Sequence, residues 1–487
     1  MAFALGQILV VSELAGANID TESICSYNDI LVKGAFGNFR QLLEDVSLNP
    51  AMGQMLSHRG NMKAGVIAGT TPDENYAREV QQLFTVGLVQ LHPDGTLLLD
   101  VNGQPIPTYD QSMIVETAKV FTGWAFANVT VPANTTNVSQ YRAFPPSTRD
   151  LGASEDSGWI NPMKYFDAFH DKTQKRVIGV QQVPLAAAAA TTIPAGQTGP
   201  QDLKMLLDVL FNHPNTGPFI CRQLIQRFVT SNPSPGYVYR VAQVFANDGT
   251  GTRGNLGAVV KAIFTDYEAR SLDVMDHVGY GKLKEPIIRL TTMFRALKAA
   301  APNGRYLDSH WWGGPLTNRN PRSPNIWGHA SPSMANAGDD LGQNPNGAPT
   351  VFNFFSPDFS PPGPLAAAGL VAPELEIVNA TNAVNCPNKL LFYLFRDLSS
   401  TPDFPPPPSG LSPYLVMDYS ALLPLVQSPP ALIDQLGLLF CGNRLSAAAR
   451  NQILATQQAL AANTSALDRL KSALYIVLLS PDSAMQK

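Results

Sequence analysis

Apolar side chains recur at helical spacing along most of this chain, and this periodicity constrains the fold more than any other feature. In the clearest case, residues 71–87, the apolar residues that share one helix face are Tyr76, Val80, Leu83 and Phe84. Strand patterns are scarce, although residues 96–101 precede the turn pair Asn102-Gly103. We therefore expect a mainly α, multi-helix globular domain with long irregular loops and at most a small β-hairpin.

The ends of two helices carry recognisable signals. Thr71 followed by Glu74 is typical of a capping box, so we expect a largely buried helix that begins at Thr71 and ends at Gly87. By the same logic a second helix runs from Thr108, with Gln111 as its capping partner, to residue 123. Further helices are predicted for residues 202–212, 217–229, 237–246, 256–264, 286–298, 374–385, 431–441, 446–462 and 464–479.

A proline run suggests how the chain is divided. Pro405-Pro-Pro-Pro408 favours an extended backbone, which cannot join a helix. We therefore predict a main helical domain over residues 1–400, a linker at 401–413, and C-terminal helices at 414–487 that pack back on the main domain.

Composition and motifs exclude several classes of function. With 34 Lys+Arg against 38 Asp+Glu, the net charge of −4 offers no global electrostatic attraction for nucleic acid or an anionic membrane. No run of 18 apolar residues predicts a transmembrane segment. Gly249-Thr-Gly-Thr-Arg-Gly254 matches a dinucleotide-binding string but lacks the preceding strand, so no nucleotide cofactor is expected. The cysteines are too widely spaced to predict a zinc site or a disulfide pairing; they are Cys25, Cys221, Cys386 and Cys441.

A polar stripe lies opposite the apolar face of the helix at residues 71–87. Its members are Asn75, Arg78, Glu79 and Gln82. Three interpretations stay open: a buried structural network, a solvated face, and a functional site with Glu79 as a catalytic group and Asn75 and Arg78 as substrate-binding groups. We expect Arg78 to pair with a carboxylate distant in sequence, since a buried guanidinium needs a partner.

A second polar cluster contains His170 and Asp171, which are followed closely by Lys175. His170 and Asp171 could ligate a metal with outside help from Glu79, or His170 could act as a general base, with Lys175 binding substrate. The alternative is a polar turn without chemistry. The sequence does not say whether a metal binds.

Two further features have a structural and a functional interpretation. His213-Pro-Asn-Thr216 favours a structural corner between helices, with Asn215 capping the second. Trp124 and the pair Trp311-Trp312 could stack on sugars or aromatic ligands, whereas core packing is the more frequent role.

Together, these segments resemble one family, the bacterial domain of unknown function 1800 (DUF1800). The resemblance spans nearly the whole chain in a fixed order. It rests on Met1-Ala-Phe-Ala-Leu-Gly-Gln-Ile-Leu-Val-Val-Ser12, Asn49-Pro-Ala-Met52, Glu74-Asn-Tyr-Ala-Arg-Glu79, Leu83-Phe-Thr-Val-Gly87, Phe121-Thr-Gly-Trp124, Phe169-His-Asp171 with Lys175, His213-Pro-Asn-Thr216, Lys284-Glu-Pro286, Val351-Phe-Asn-Phe-Phe-Ser-Pro357 and Leu478-Leu-Ser-Pro481.

The resemblance implies a mostly helical, exported bacterial protein, often encoded beside a sulfatase-like partner. It supplies no reaction. Members of the family begin with an export signal and further helices that have no counterpart here, so the chain looks shortened at its N-terminus. We therefore expect an uncovered apolar groove along Phe3, Leu5, Ile8 and Leu9.

Two functional hypotheses follow. The first is a hydrolase-like enzyme acting on a polymer or envelope component, with Glu79, His170 and Asp171 lining one cleft. The second is a non-catalytic scaffold or binding protein that works with a secreted partner, in which the same polar residues are buried struts.

Overall fold

The computed structural model describes residues 1–13, 19, 21–132, 135–144, 158–179, 190–300, 341–395 and 416–487. By compactness the chain divides into two units. Unit 1 comprises residues 1–280 with 348–353, and unit 2 comprises residues 281–347 with 354–487. The linker predicted at 401–413 and the pair Trp311-Trp312 lie outside the described residues, and the predicted domain boundaries stay a prediction.

Unit 1 is built mainly of helices joined by loops and two small sheets. Its helices are α1 (Ala2–Gly6), α2 (Thr21–Gly34), α3 (Phe39–Leu48), α4 (Pro50–Met55), α5 (Asn75–Gln82), α6 (Gln111–Val120), α7 (Val138–Tyr141), α8 (Gly199–Asn212), α9 (Thr216–Phe228), α10 (Pro235–Ala246), α11 (Leu256–Thr265), α12 (Tyr267–Arg270) and α13 (Leu272–Met275). The antiparallel pairs are β1 (Trp124–Ala125) with β2 (Lys164–Tyr165), and β3 (Lys175–Ile178) with β4 (Ala190–Ile193).

Unit 2 repeats this mainly helical composition. Its helices are α14 (Pro286–Ala296), α15 (Pro364–Ala367), α16 (Ala380–Phe395), α17 (Pro429–Cys441), α18 (Ala447–Ala459), α19 (Ala466–Leu479) and α20 (Pro481–Ala484), and β5 (Lys282–Leu283) pairs with β6 (Met485–Gln486). The core of unit 2 joins α14, α16, α17 and α19 around Leu290, Leu390 and Leu474. The mainly α prediction is confirmed, since sheets in the described ranges have only two strands.

The predicted hairpin is present as isolated bridges. Leu99 pairs with Pro105 across the predicted turn, while Leu97 pairs with Leu91 across the preceding turn at residues 92–96. Gly103 N donates to Asp100 O at 3.0 Å across the Asn102-Gly103 turn. The turn chemistry was therefore a sound guide, although the flanking residues form bridges and no continuous strand.

Helix α8 shows how sequence produces an element that positions the later site. Thr198 and Gln201 form a capping box at its start, and Pro200 lies in its first turn. The apolar residues at helical spacing are all buried; they are Leu203, Leu206, Leu207 and Leu210. This face places α8 against α6 and the β3–β4 pair.

The helix predicted from Thr71 to Gly87 is shorter than expected. It begins at Asn75, and neither Thr71 nor Glu74 forms the predicted capping box. Asn61 explains the late start: its Oδ1 accepts a hydrogen bond from Asp73 N at 2.9 Å, which holds that backbone outside the helix. Five of the eight helical residues are buried, as predicted.

Two other helix starts differ from prediction because a different side chain caps the helix. Asp110, in place of Thr108, accepts from Met113 N at 3.0 Å and starts α6. The helix predicted at 374–385 runs from Ala380 to Phe395, since Asn379 caps it by accepting from Asn382 N at 2.9 Å. A short 3-10 helix, Pro373–Glu376, precedes it.

The corner between α8 and α9 is present, but Asn215 does not cap α9 with its side chain. Asn215 Nδ2 donates instead to Val86 O at 2.9 Å, and its Oδ1 accepts from Leu91 N at 2.9 Å. The side chain thus ties the corner to the segment that follows α5. Within the corner, His213 Nδ1 accepts from Asn215 N at 3.1 Å.

The N-terminal segment does not form the expected apolar groove. Leu5, Ile8 and Leu9 are buried, and only Phe3 is substantially exposed, at 45%. The expectation was wrong because α2 packs over α1, and Tyr27 OH donates to Leu9 O at 2.5 Å.

No described helix is long and apolar enough to cross a bilayer. None of the four cysteines, all of which are described, takes part in a disulfide.

Candidate functional site

A buried polar network in unit 1 connects the loop before β3 to helix α8. Asp202 Oδ2 lies 2.6 Å from Lys175 Nζ and 3.1 Å from His170 Nε2. The three side chains are at most 1% exposed. Two of the predicted site residues, His170 and Lys175, are therefore brought together, by an aspartate that the sequence analysis did not select.

Lys175 is fully bonded inside this network. Besides the Asp202 carboxylate, its Nζ donates to Asp171 O at 2.7 Å and to Thr173 O at 2.9 Å. Three acceptors match the three N–H groups of an ammonium ion. The positive charge is thus both neutralised by Asp202 and hydrogen-bonded, the condition under which a buried ion pair is tolerated.

His170 is enclosed in the same way. Its Nδ1 lies 2.8 Å from Thr122 O, which can only accept, so Nδ1 is the donor there. Its other ring nitrogen, Nε2, faces the Asp202 carboxylate at 3.1 Å. Thr122 Oγ1 also accepts from Asp171 N at 2.8 Å, which fixes the turn that carries the histidine.

Two glycines permit the close packing around His170. Gly123 has φ +87°, and a Cβ there would lie 3.0 Å from both His170 Cβ and Phe166 O. A Cβ at Gly199 would lie 2.5 Å from the Tyr165 ring. Gly199 opens α8 three residues before Asp202, whose carboxylate therefore sits in the helix's N-terminal part, where a negative charge is favourable.

Two other predicted site residues lie nearby and are also buried. Asp171 Oδ1 accepts from Thr173 N at 2.8 Å and from Thr173 Oγ1 at 2.6 Å. Burial opposes ionisation of Asp171, but these bonds hold its pKa below the usual value. Trp124 is 4% exposed and packs beside Tyr165, with 5.8 Å between ring centroids. Neither side chain is presented to solvent.

A second polar group, here called the α5 patch, comprises Glu74, Arg78, Glu79, Tyr109 and Gln111. At its surface, Arg78 Nη2 donates to Glu74 Oε2 at 3.2 Å and to Gln111 Oε1 at 3.3 Å. Gln111 Nε2 donates to Glu74 Oε2 at 2.7 Å. Arg78 is 39% exposed.

The prediction that Arg78 pairs with a distant carboxylate was wrong. Its partner is Glu74, one helical turn earlier. Because α5 begins at Asn75, Glu74 does not serve as a capping side chain and can reach Arg78 at the i, i+4 spacing. Asn75 is exposed, and its backbone N–H donates to Asp73 Oδ1 at 2.9 Å.

The inner part of the α5 patch holds two buried groups without a partner. Glu79 is 6% exposed and Tyr109 is 9% exposed. Neither Glu79 Oε2 nor the Tyr109 hydroxyl bonds to any described residue. Burial raises the pKa of the Glu79 carboxyl, an effect that the Arg78 charge reduces. Burial likewise raises the pKa of Tyr109 to about 12. The charge of Arg78 lowers this pKa, and the charge of Glu79 raises it.

In the described part of the chain, no three His, Cys, Asp or Glu side chains are grouped so that they could hold a metal ion. Glu79 therefore does not complete a ligand set with His170 and Asp171. The predicted residues form two groups, one around Asp202 and one on α5.

A family model described as "Protein of unknown function (DUF1800)" matches residues 1–485 of this sequence. The chain belongs to the DUF1800 family. Neither a curated protein nor a solved structure matches this DUF1800 chain.

Sequence reasoning missed Asp202 and Tyr109 in this DUF1800 chain. Asp202 was visible only as the first residue of a predicted helix, where an acidic side chain is usually explained by the helix dipole. Its partners His170 and Lys175 are 32 and 27 residues earlier, and no local spacing indicates such a contact. Tyr109 was missed because the sequence analysis began the helix at Thr108, whereas Asp110 caps α6 and Tyr109 lies before it.

Proposed function

We propose that this DUF1800 protein is a non-catalytic binding protein, and that its His170–Lys175–Asp202 network is a structural joint. The observation that supports this is the exposure of at most 1% for all three side chains. A general base must come within hydrogen-bonding reach of a substrate proton. Both nitrogens of His170 already face protein acceptors, so the ring has no free position for substrate.

The proposal includes the cellular setting that the family resemblance implies. The protein would be exported and work with a sulfatase-like protein encoded nearby. As its ligand we propose a polymer or envelope component, which the resemblance itself does not specify. The partner can be tested directly by mixing the purified full chain with that sulfatase-like protein and measuring complex formation by size-exclusion chromatography with light scattering. Two unchanged elution profiles at micromolar concentrations would contradict this part of the proposal.

The non-catalytic role is tested with a panel of peptide, ester, glycoside, phosphate and sulfate ester substrates, together with metal analysis. We expect no turnover by the wild-type protein. His170→Gln should lower the melting temperature, because the imidazole bonds both Thr122 O and Asp202 and the substitution removes one of these two buried contacts. Turnover that is lost in His170→Gln at unchanged melting temperature would refute the structural role.

A hydrolase-like enzyme is the second candidate, and one observation favours it. Glu79 is buried, its pKa is raised, and its Oε2 has no partner within the described residues. A carboxyl whose pKa is raised by burial is the type of group that serves as a general acid. The same substrate panel separates the candidates: turnover that Glu79→Gln abolishes would establish the enzyme.

A further inference from the structure

We propose that the α5 patch binds a neutral, polyhydroxylated ligand, that is, a carbohydrate. This inference rests on the proposed binding function and names its ligand class. The patch would present Arg78 and Glu74 at the surface and the Glu79 carboxyl and Tyr109 hydroxyl beneath them.

Unused hydrogen-bonding groups supply the first argument. Buried polar atoms in native proteins nearly always have a partner, so the lone Glu79 Oε2 and Tyr109 OH indicate one that is not among the described residues. Arg78 uses only Nη2 for its bonds to Glu74 and Gln111. Its Nε and Nη1 contact no acceptor among the residues described. The patch therefore offers an acceptor, a hydroxyl and two guanidinium donors close together.

The charges of the patch supply the second argument. Two acidic groups, Glu74 and Glu79, disfavour an anion, while the positive charge of Arg78, which pairs with Glu74 and acts on Glu79, disfavours a cation. The neighbouring charges Asp110 and Arg176 pair with each other at 3.5 Å and leave this balance unchanged. A hydroxyl group can donate to a carboxylate and accept from a guanidinium at once. Adjacent hydroxyls on a sugar ring thus fit both signs of charge.

The test uses the full chain on an array of soluble oligosaccharides that includes neutral, sulfated and uronic acid members, followed by calorimetric titration of the best ligand. We expect binding of neutral oligosaccharides. Tyr109→Phe and Glu79→Gln should each weaken that binding about tenfold or more, since each removes one bond to the ligand.

Stability measurements distinguish loss of a ligand contact from loss of the fold. Because the Tyr109 hydroxyl bonds no described residue, Tyr109→Phe should leave the melting temperature unchanged. Arg78→Gln should also weaken binding. Arg450→Gln should not: Arg450 is 35% exposed and pairs with Asp434, and so it is a matched control in unit 2.

Three results would overturn the ligand assignment: no neutral oligosaccharide binds, only acidic ones bind, or Tyr109→Phe and Glu79→Gln bind as wild type does. A bound oligosaccharide that the protein cleaves would leave the assignment intact and refute the non-catalytic role. Absence of both binding and turnover would refute only the ligand assignment.

Discussion

The ion pair of Lys175 with Asp202 has the same 2.6 Å distance as that of Lys204 with Asp208, but water reaches only the second. Lys204 is 72% exposed, whereas Lys175 is 1% exposed. Removing one partner of a buried pair leaves an uncompensated charge. We expect Lys175→Met to lower the free energy of unfolding by about 3 to 5 kcal/mol.

Lys204→Met is the matched control for this prediction, and it should change the free energy of unfolding by less than about 1 kcal/mol. Chemical denaturation of both variants gives the comparison. Equal effects of the two substitutions would show that burial does not govern the strength of the Lys175 pair.

The buried His58 should make the stability of the protein depend on pH. It is buried and stacked on Tyr76 at 3.9 Å between ring centroids, and burial lowers its pKa to about 4. The unfolded chain binds a proton at this residue near pH 6.5, but the folded chain does not until about pH 4. The contribution of the neutral His58 to the free energy of unfolding is therefore fully present above pH 6.5, and it is lost as the pH falls from 6.5 towards 4.

His58→Phe should reduce this loss by roughly 1 kcal/mol for each pH unit in that window, because the ring stays stacked but no longer titrates. Part of the dependence should remain, since burial also lowers the pKa of His213 to about 4. Denaturation curves between pH 4 and 7 provide the measurement. An unchanged slope in His58→Phe would contradict the prediction.

At the scale of elements, the start of α5 depends on Asp73 and not on Thr71. Asp73 Oδ1 accepts from the otherwise unbonded N–H of Asn75 at 2.9 Å. Asp73→Ala should therefore cost about 1 kcal/mol of stability. Thr71→Ala, which removes the residue that the capping-box pattern selects, should be nearly neutral. If Thr71→Ala lowered the denaturation midpoint more than Asp73→Ala did, the result would support a helix that begins at Thr71.

For the whole molecule, we expect each of the two compact units to unfold in a cooperative transition of its own. Leu224 in unit 1 and Leu474 in unit 2 are fully buried. Replacing either by alanine should cost about 2 to 5 kcal/mol and shift one calorimetric transition but not the other. The control Leu438→Ala changes a 56% exposed residue of unit 2 and should shift neither. A single transition that both core variants lower equally would argue against independent units.

Local patterns in the sequence determined the helical class, most helix positions and the Asn102-Gly103 turn, because periodicity and turn chemistry depend on neighbouring residues. They also selected His170, Lys175 and Glu79 as groups of interest. Helix starts were less predictable, because Asn61 holds Asp73 outside α5 from twelve residues away.

Only the tertiary structure decided which polar groups meet and which see solvent. Asp202 lies 27 residues after Lys175, and a contact at that separation depends on how α8 packs against β3. Burial likewise results from the packing of many elements, so the same residue types could form an open site or a closed joint. The structure closes His170 and Lys175 around Asp202, and it leaves Glu79 and Tyr109 without a partner in the described chain beneath a half-exposed Arg78.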